Sequence, residues 1–196
     1  EYVDEECGYD VTEDNYIYTA DNTSSTTIQF EVYYPQVDGL DAEVQEKVNT
    51  ALQDCALDSV DKLYLSPSDE MKEKVLGEEY PVLASFVEYK VTYQSRSLLS
   101  VVFQDYSYEG SENDYHVALR CVNVNLQDGT LYEVKDIVNL DDSFVGQWAQ
   151  VMRDEADDDT FLSELSAEDM KAVLGGDTKD GVYTPEFFVD EDGLEI

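Results

Sequence analysis

The sequence predicts an α+β domain in which helices pack on one face of an antiparallel meander sheet. Three extended segments follow one another closely between residues 85 and 126, whereas parallel pairing of neighbours would need long crossover connections. Apolar residues recur at helical spacing near residues 41–63 and again near 142–156. A chain of 196 residues is also long enough to bury a sizeable core without disulfides or metals.

The meander is predicted from alternation and turn chemistry. Residues 86–93 alternate between two faces in β-branched and aromatic side chains, which is typical of a half-buried strand. Residues 98–108 are richer in apolar side chains, so this strand is expected further inside the sheet. The polar loop at 109–114 reverses the chain, residues 115–126 alternate again, and an Asp-Gly pair ending at Gly129 forms the next turn.

Capping and turn residues set the remaining elements. They predict strands at 16–19, 26–34 and 183–189, and helices over 41–63, 67–76, 142–156 and from 166 to 175. Pro35 is expected to end its strand. Asp41, Ser66 and Ser166 are the expected N-caps, because short polar side chains accept hydrogen bonds from the first helical amides.

The domain organisation follows from a shift in composition. Residues 1–25 begin with a run of acids and no base, which predicts a flexible acidic leader or tether. Residues 26–196 form either a single α+β domain or two intimate subdomains, 26–125 and 126–196. The chain opens on Glu1 without an initiating Met, so we expect a mature or trimmed form of a longer protein.

The charge of the chain limits its partners. Forty-six acidic residues against 11 basic ones give a formal net charge of −35. Nucleic acids and anionic membrane surfaces attract basic patches, so the charge argues against both as partners. The charge fits a basic protein partner, divalent cations or simple solubility. No stretch of 18 apolar residues predicts a transmembrane helix, and no signal peptide is present.

Motifs for catalysis and cofactors are absent from the sequence, which predicts a non-enzymatic protein. The single histidine, His116, falls within a strand, and no nucleophile elbow, phosphate loop or dinucleotide fingerprint accompanies it. Cys7, Cys55 and Cys121 lack metal-ligand spacing, and a Cys7–Cys55 disulfide is left open. The tightest acidic cluster lacks the glycine of an EF-hand loop and contains Asp154, Glu155, Asp157, Asp158 and Asp159.

Tyrosine is the other excess, at 15 residues. Tyrosine provides rigid amphipathic contact area at low entropic cost, although strands also take it readily. Tyr106 and Tyr108 share one strand face beside a flexible loop. We therefore predict a binding edge formed by Tyr106, Tyr108, Glu109, Gly110, Ser111, Glu112, Asn113 and Asp114.

Several segments resemble a known family when they are read in order. EVYYPQVDGLDAEVQEKVNTAL contains Tyr34-Pro35, Gly39-Leu40 and Val48-Asn49. LLSVVFQDYSYEGS, VNVNLQDGTLYEVKDIV and EFFVDEDGLEI follow it. Together they resemble the secreted bacterial domain of unknown function found in RsiV-type anti-sigma factors and beside the catalytic domain of PdaC-type peptidoglycan deacetylases. The family loop reads Gly-Gly-Ala-His-Gly, whereas this chain has Asn113 in place of that histidine.

The resemblance implies a non-catalytic binding or sensing domain of a bacterial cell-envelope protein. Its location would be extracytoplasmic, in a lipoprotein or membrane-anchored parent, and its ligand a basic protein such as lysozyme or a cell-wall glycan. Two alternatives stay open. One is a calcium-stabilised structural domain, and the other a hydrolase that cleaves glycans with paired carboxylates. No cofactor and no metal ligand set is predicted.

Overall fold

The structure, a computed structural model, describes residues 1–3, 6–20, 25–156, 159–177 and 185–196 and confirms the α+β class. Within these ranges the strands are β1 (Tyr2–Val3), β2 (Asp10–Thr19), β3 (Thr27–Asp38), β4 (Val82–Gln94), β5 (Leu98–Gly110), β6 (Tyr115–Asn125), β7 (Phe188–Val189) and β8 (Leu194–Glu195). The helices are α1 (Ala42–Ala56), α2 (Asp58–Val60), α3 (Asp69–Gly77), α4 (Val134–Ile137), α5 (Asp142–Glu155), α6 (Thr160–Ser163) and α7 (Ala167–Leu174), and a π-helical turn (Asp61–Leu65) follows α2.

The main sheet is open and mixed. Its strands follow the order β2-β3-β4-β5-β6, and β1 pairs with the end of β4. The antiparallel meander β4-β5-β6 is confirmed. However, β3 and β4 pair in parallel through residues 27–32 and 82–87, because the helices between them provide the crossover that parallel neighbours need. The sheet is therefore not wholly antiparallel.

The prediction of a flexible leader is wrong for residues 10–19. Residues 10–19 form a ten-residue strand that pairs with β3 along its whole length. Tyr16 and Tyr18 lie partly buried against the core, which explains why this acidic segment is ordered. Its acids occupy exposed positions of an edge strand, where charge is tolerated.

Two predicted boundaries are also wrong. Strand β3 continues through Pro35 to Asp38, beyond the part that pairs with β4. There β3 has β2 as its one neighbour among the described residues, so the missing amide of proline costs little. Helix α3 starts after Ser68, whose hydroxyl accepts a hydrogen bond from the Met71 amide, rather than after Ser66.

Other predicted caps are confirmed. The side chain of Asp41 accepts a hydrogen bond from the Glu43 amide at the start of α1. Ser166 and Asp169 form a reciprocal capping box at α7, and α5 begins at the predicted residue. Residues 183–184 of the last predicted strand lie outside the described residues, and Phe188–Val189 form β7.

The chain divides into two compact units. The first contains residues 1–130 and 188–195, and the second contains 131–187 with Ile196. In the second unit, α5, α6 and α7 enclose a small core around Val145, Leu162 and Leu174. No helix among the described residues is both long and apolar enough to cross a membrane.

The core of the first unit lies between one face of the sheet and the helices. Phe30, Leu52, Leu99 and Phe103 are fully buried there. Asn49 on α1 fixes the helix to the end of β3, because its carboxamide accepts from the Val37 amide at 2.7 Å and donates to the Val37 carbonyl at 3.0 Å. Asn49, the second residue of the Val48-Asn49 pair in the family resemblance, therefore has a structural role.

A buried carboxylate connects the sheet to the helices. Asp105 on β5 is fully buried, and its two oxygens accept hydrogen bonds from Ser59 at 2.5 Å and Ser85 at 2.8 Å. Arg120 on β6 donates to the same carboxylate at 2.9 Å, and its Nε donates to the Cys55 carbonyl at the end of α1. Three strands, β4, β5 and β6, and the α1–α2 junction therefore share one polar centre.

We predict that Arg120→Met lowers the free energy of unfolding by about 3–5 kcal/mol, because it leaves a buried carboxylate without its counter-charge. Urea unfolding followed by circular dichroism measures the change. Arg96→Met is the matched control, since the Arg96 guanidinium forms an exposed pair with Glu6. Equal destabilisation by the two substitutions would contradict the role of Asp105.

Candidate functional site

The face of the sheet opposite α1 carries exposed apolar side chains. Side chains alternate along a strand, so Val101 and Phe103 point to the core while Val102, Tyr106 and Tyr108 point to the other face. We define the outer patch as Phe86, Tyr106, Tyr108, Tyr115, Val117 and Leu119. These residues form a continuous strip across the paired ends of β4, β5 and β6.

The β6 part of the outer patch is open to solvent. Tyr115, Val117 and Leu119 are 48%, 56% and 51% exposed, although all three are large apolar or aromatic residues. On one face of a strand such residues normally pack against another layer. An exposed patch of this kind marks a surface available for an interaction.

Three tyrosines form the centre of the outer patch. The Tyr115 ring lies 6.4 Å from the Tyr106 ring in a stacked arrangement and 5.2 Å from the Tyr108 ring in a tilted one. Partial burial, and then the neighbouring phenols, raise the pKa of Tyr115 above its ordinary value. The Tyr115 hydroxyl therefore stays neutral at physiological pH, and the three rings present rigid amphipathic surface.

The predicted binding edge is divided between two faces. Tyr106 and Tyr108 lie in the outer patch, whereas Asp114 turns towards α3 and forms an ion pair with Lys74. Glu112 and Asn113 are exposed at the tip of the turn, and Ser111 is buried. Whether Glu109, Gly110 and the turn residues contact a ligand remains a prediction.

Local bonds fix the turn between β5 and β6. Gly110 has a φ of +103°, a left-handed conformation that glycine adopts without strain. The Ser111 hydroxyl accepts from the Asn113 amide at 3.0 Å. His116 Nε2 lies 2.8 Å from Asp114 Oδ1 and 3.9 Å from Glu109. His116 therefore helps to stabilise the turn.

A cavity of about 410 Å³ opens on the same face as the outer patch. Its lining combines apolar and charged side chains, chiefly Glu88, Lys90, Val102, Gln104, Leu119 and Phe188. Leu119 belongs to both the cavity and the outer patch, so the two are adjacent. A partner side chain with an apolar stem and a polar end would fit this lining.

The position of the cavity depends on a contact that the family-like segments make with each other. The Ser100 hydroxyl on β5 donates to Asn123 at 2.6 Å and accepts from the Val189 amide of β7 at 3.0 Å. Thr92 on β4 donates to the same hydroxyl at 3.2 Å. These buried polar groups dock β7 beside the outer patch.

Metal and disulfide hypotheses have separate outcomes. The described residues contain no group of three or more His, Cys, Asp or Glu side chains arranged to hold an ion. Asp157 and Asp158 of the acidic cluster lie outside the described residues, so calcium binding there remains a prediction. Cys7 is a free thiol and donates to the Tyr9 carbonyl, so the Cys7–Cys55 disulfide does not form in this structure.

Comparisons with known proteins match one segment of the chain to a family model. Residues 22–111 match the family model described as Deacetylase PdaC. This segment resembles the PdaC family. The match includes 90 of the 196 residues, from β3 to the end of β5, and it confirms the PdaC part of the resemblance for that segment. None of the curated proteins compared with the chain matches it.

Solved structures are similar over most of the chain. A member of the DUF3298 family from Bacteroides fragilis is similar over 80% of this chain and 72% of its own, at 16% sequence identity and a TM-score of 0.50. A DUF3298 family protein from Pseudomonas aeruginosa is similar over 81% and 74%, at 9% identity and a TM-score of 0.46. The first of these similarities concerns the fold alone.

Sequence reasoning identified only part of this surface. It identified Tyr106 and Tyr108 but assigned Tyr115, Val117 and Leu119 only to an alternating strand. The absence of any acid from residues 115–119, in a chain so rich in acid, is the sequence feature that could have identified them.

We predict that Lys74→Met raises the pKa of Asp114, because hydrogen bonds from Lys74 and His116 hold that pKa below its ordinary value. A depressed folded pKa stabilises the fold above the unfolded pKa of about 3.9, and this contribution is lost as the pH falls through the folded pKa. Carboxyl carbon shifts in an NMR titration measure the change.

The matched control is Lys72→Met, since Lys72 pairs with Asp69 on the same helix. It should leave the Asp114 titration unchanged. If the pKa of Asp114 were the same in wild type and Lys74→Met, the turn would not depend on this ion pair.

Proposed function

We propose that this chain is a non-catalytic, extracytoplasmic binding domain of a bacterial cell-envelope protein, and that its ligand is a basic protein of the lysozyme kind. The observation that carries the proposal is the exposed outer patch on a strongly acidic molecule. The location and the anti-sigma type of parent rest on the resemblance of the sequence segments to that secreted domain.

The chemistry of the outer patch supports recognition of a protein. Binding energy at protein interfaces concentrates in aromatic side chains near the centre of the contact. Tyr115 is half exposed and held by two neighbouring rings, so little side-chain entropy is lost when it binds. Exposed Val117 and Leu119 extend the apolar area beside it.

The charge supports a basic partner. A net charge of −35 produces a negative field that accelerates encounter with a cationic protein and repels acidic ones. Salt screens this steering, with a Debye length of about 8 Å at physiological ionic strength. Apolar contacts at the outer patch would keep the complex together once that screening is in place.

The composition of the PdaC-like segment supports a non-catalytic role. Residues 22–111 contain no histidine and a single cysteine, Cys55. A catalytic zinc site ordinarily uses three protein ligands drawn from His, Cys, Asp and Glu, with His the most frequent. Asp105, the most buried carboxylate of the segment, is already bonded to Ser59, Ser85 and Arg120.

We predict saturable one-to-one binding of hen lysozyme in calorimetry, at physiological salt and at about 0.5 M salt, where the Debye length falls to roughly 4–5 Å. Tyr115→Ala should weaken the affinity by about tenfold or more, as loss of an aromatic anchor does. Tyr80→Ala removes a tyrosine that is 66% exposed outside the patch and should have no effect.

Two outcomes would contradict the proposal. If the heat of lysozyme binding disappears at high salt for wild type, Tyr115→Ala and Tyr80→Ala alike, the interaction is charge attraction without a specific site. Equal loss of affinity in Tyr115→Ala and Tyr80→Ala would indicate that the outer patch is not the binding surface.

A further inference from the structure

Strand β6 forms one edge of the main sheet. Within the part of the chain that the structure describes, the sheet path ends at β6, whose paired neighbour is β5. Its first half, residues 115–119, is mostly exposed. Backbone amides and carbonyls along such an edge form a template for another strand.

Hydrogen bonds at the two ends of the hairpin show which residues face the open edge. The Glu109 amide donates to the Asp114 carbonyl at 3.0 Å, and the Leu126 amide donates to the Ser97 carbonyl at 3.0 Å. In an antiparallel pair the direction of the backbone groups alternates with each residue. Even-numbered residues of β6 therefore bond to β5, and odd-numbered ones present their backbone groups outward.

The opposite end of β6 agrees with this assignment. The Asn125 amide, at an odd position, donates away from β5 to the Thr130 carbonyl at 2.8 Å. Tyr115, Val117 and Leu119 consequently present their amides and carbonyls to the open edge while their side chains form the outer patch. A strand added here would bond to the same three residues whose side chains are exposed.

The two edges of the sheet differ in composition. Edge strand β2 carries Asp10, Glu13 and Asp14, and charges on an edge discourage pairing with other chains. Residues 115–119 read Tyr-His-Val-Ala-Leu and carry no acid. This difference marks the β6 edge as the one open to another strand.

We infer that the open edge of β6 at Tyr115, Val117 and Leu119 takes up an extended cationic segment of a partner protein as an additional strand. The inference rests on the proposed function and specifies how that partner is recognised. A cationic segment is favoured by charge, because the domain carries −35, whereas a second copy would bring the same negative charge to the edge.

Strand addition divides recognition between backbone and side chains. Backbone hydrogen bonds would supply affinity that depends little on sequence, and alternate side chains of the added strand would lie over the outer patch. The cavity beside Leu119 would then receive a side chain from one end of that strand.

Hydrogen exchange followed by NMR tests the inference on the intact chain. The probe is the peptide acetyl-Lys-Val-Lys-Val-Lys-Val-Lys-amide, and the control peptide has proline at all three valines and the same charge. The valine peptide should slow exchange of the Tyr115, Val117 and Leu119 amides by about tenfold when it is near saturation. His116 and Ala118 amides, which face β5, are internal standards and should change little.

A backbone variant tests the same edge. Val117→Pro removes an outward amide without removing a bond to β5, and proline is tolerated at such edge positions. It should weaken peptide binding by about tenfold, the effect of one or two lost hydrogen bonds. Val117→Thr keeps the amide and changes only the side chain, so it should weaken peptide binding less than Val117→Pro does. If Val117→Pro fails to fold, hydrogen exchange in the wild-type protein with the two peptides still tests strand addition.

Three results would overturn strand addition. They are unchanged exchange at the three odd-numbered amides, equal protection by both peptides, and protection that appears without peptide as the protein concentration rises, which would indicate self-pairing. Lysozyme binding that is unaltered in Val117→Pro would reject the edge while leaving the proposed function intact. Absence of lysozyme binding beside a positive peptide result would reject only the proposed ligand.

Discussion

The fold of the first unit depends on one buried charge. Asp105 lies at the point where β5 passes beneath the start of α2, and each of its hydrogen bonds reaches a different element. A carboxylate without such partners would cost several kcal/mol to bury, on the order of the whole stability of a small domain. Arg120 also holds the Cys55 carbonyl at the end of α1, so the position of β6 and the end of the helix are set together.

The helices that Asp105 and Arg120 hold on the sheet also distinguish its two faces. Because α1, α2 and the π-helical turn cover the core face, the alternation of β5 and β6 places a second set of apolar residues on the opposite face. The Ser100 hydroxyl accepts a hydrogen bond from the Val189 amide and so holds β7 on the outer face. Strand β7 covers part of that face and leaves the end at Tyr115 exposed. Support of the core and exposure of the outer patch are thus two consequences of one alternating pattern.

The sequence predicted the parts of the fold that depend on local chemistry. The β4-β5-β6 meander, the Asp41 cap and the Ser166 capping box follow from alternation and from short-range hydrogen bonds. Local patterns do not predict the parallel pairing of β3 with β4 or the position of β2 beside β3. Both depend on contacts between residues far apart in the chain. In the candidate site, Tyr106 and Tyr108 could be predicted as a pair on one face, but Asp114 turns away because Lys74 of α3 holds it.

The edge of β6, which no other strand pairs with among the residues that the structure describes, also affects how the protein behaves at high concentration. Edges of this kind promote stacking of copies into filaments, and here the net charge of −35 opposes that stacking by repulsion between molecules. The repulsion weakens in concentrated salt and vanishes near the isoelectric point of about 4.1, where the carboxylates lose their excess charge. The acidity of the chain therefore opposes self-association through the edge that we propose for strand addition.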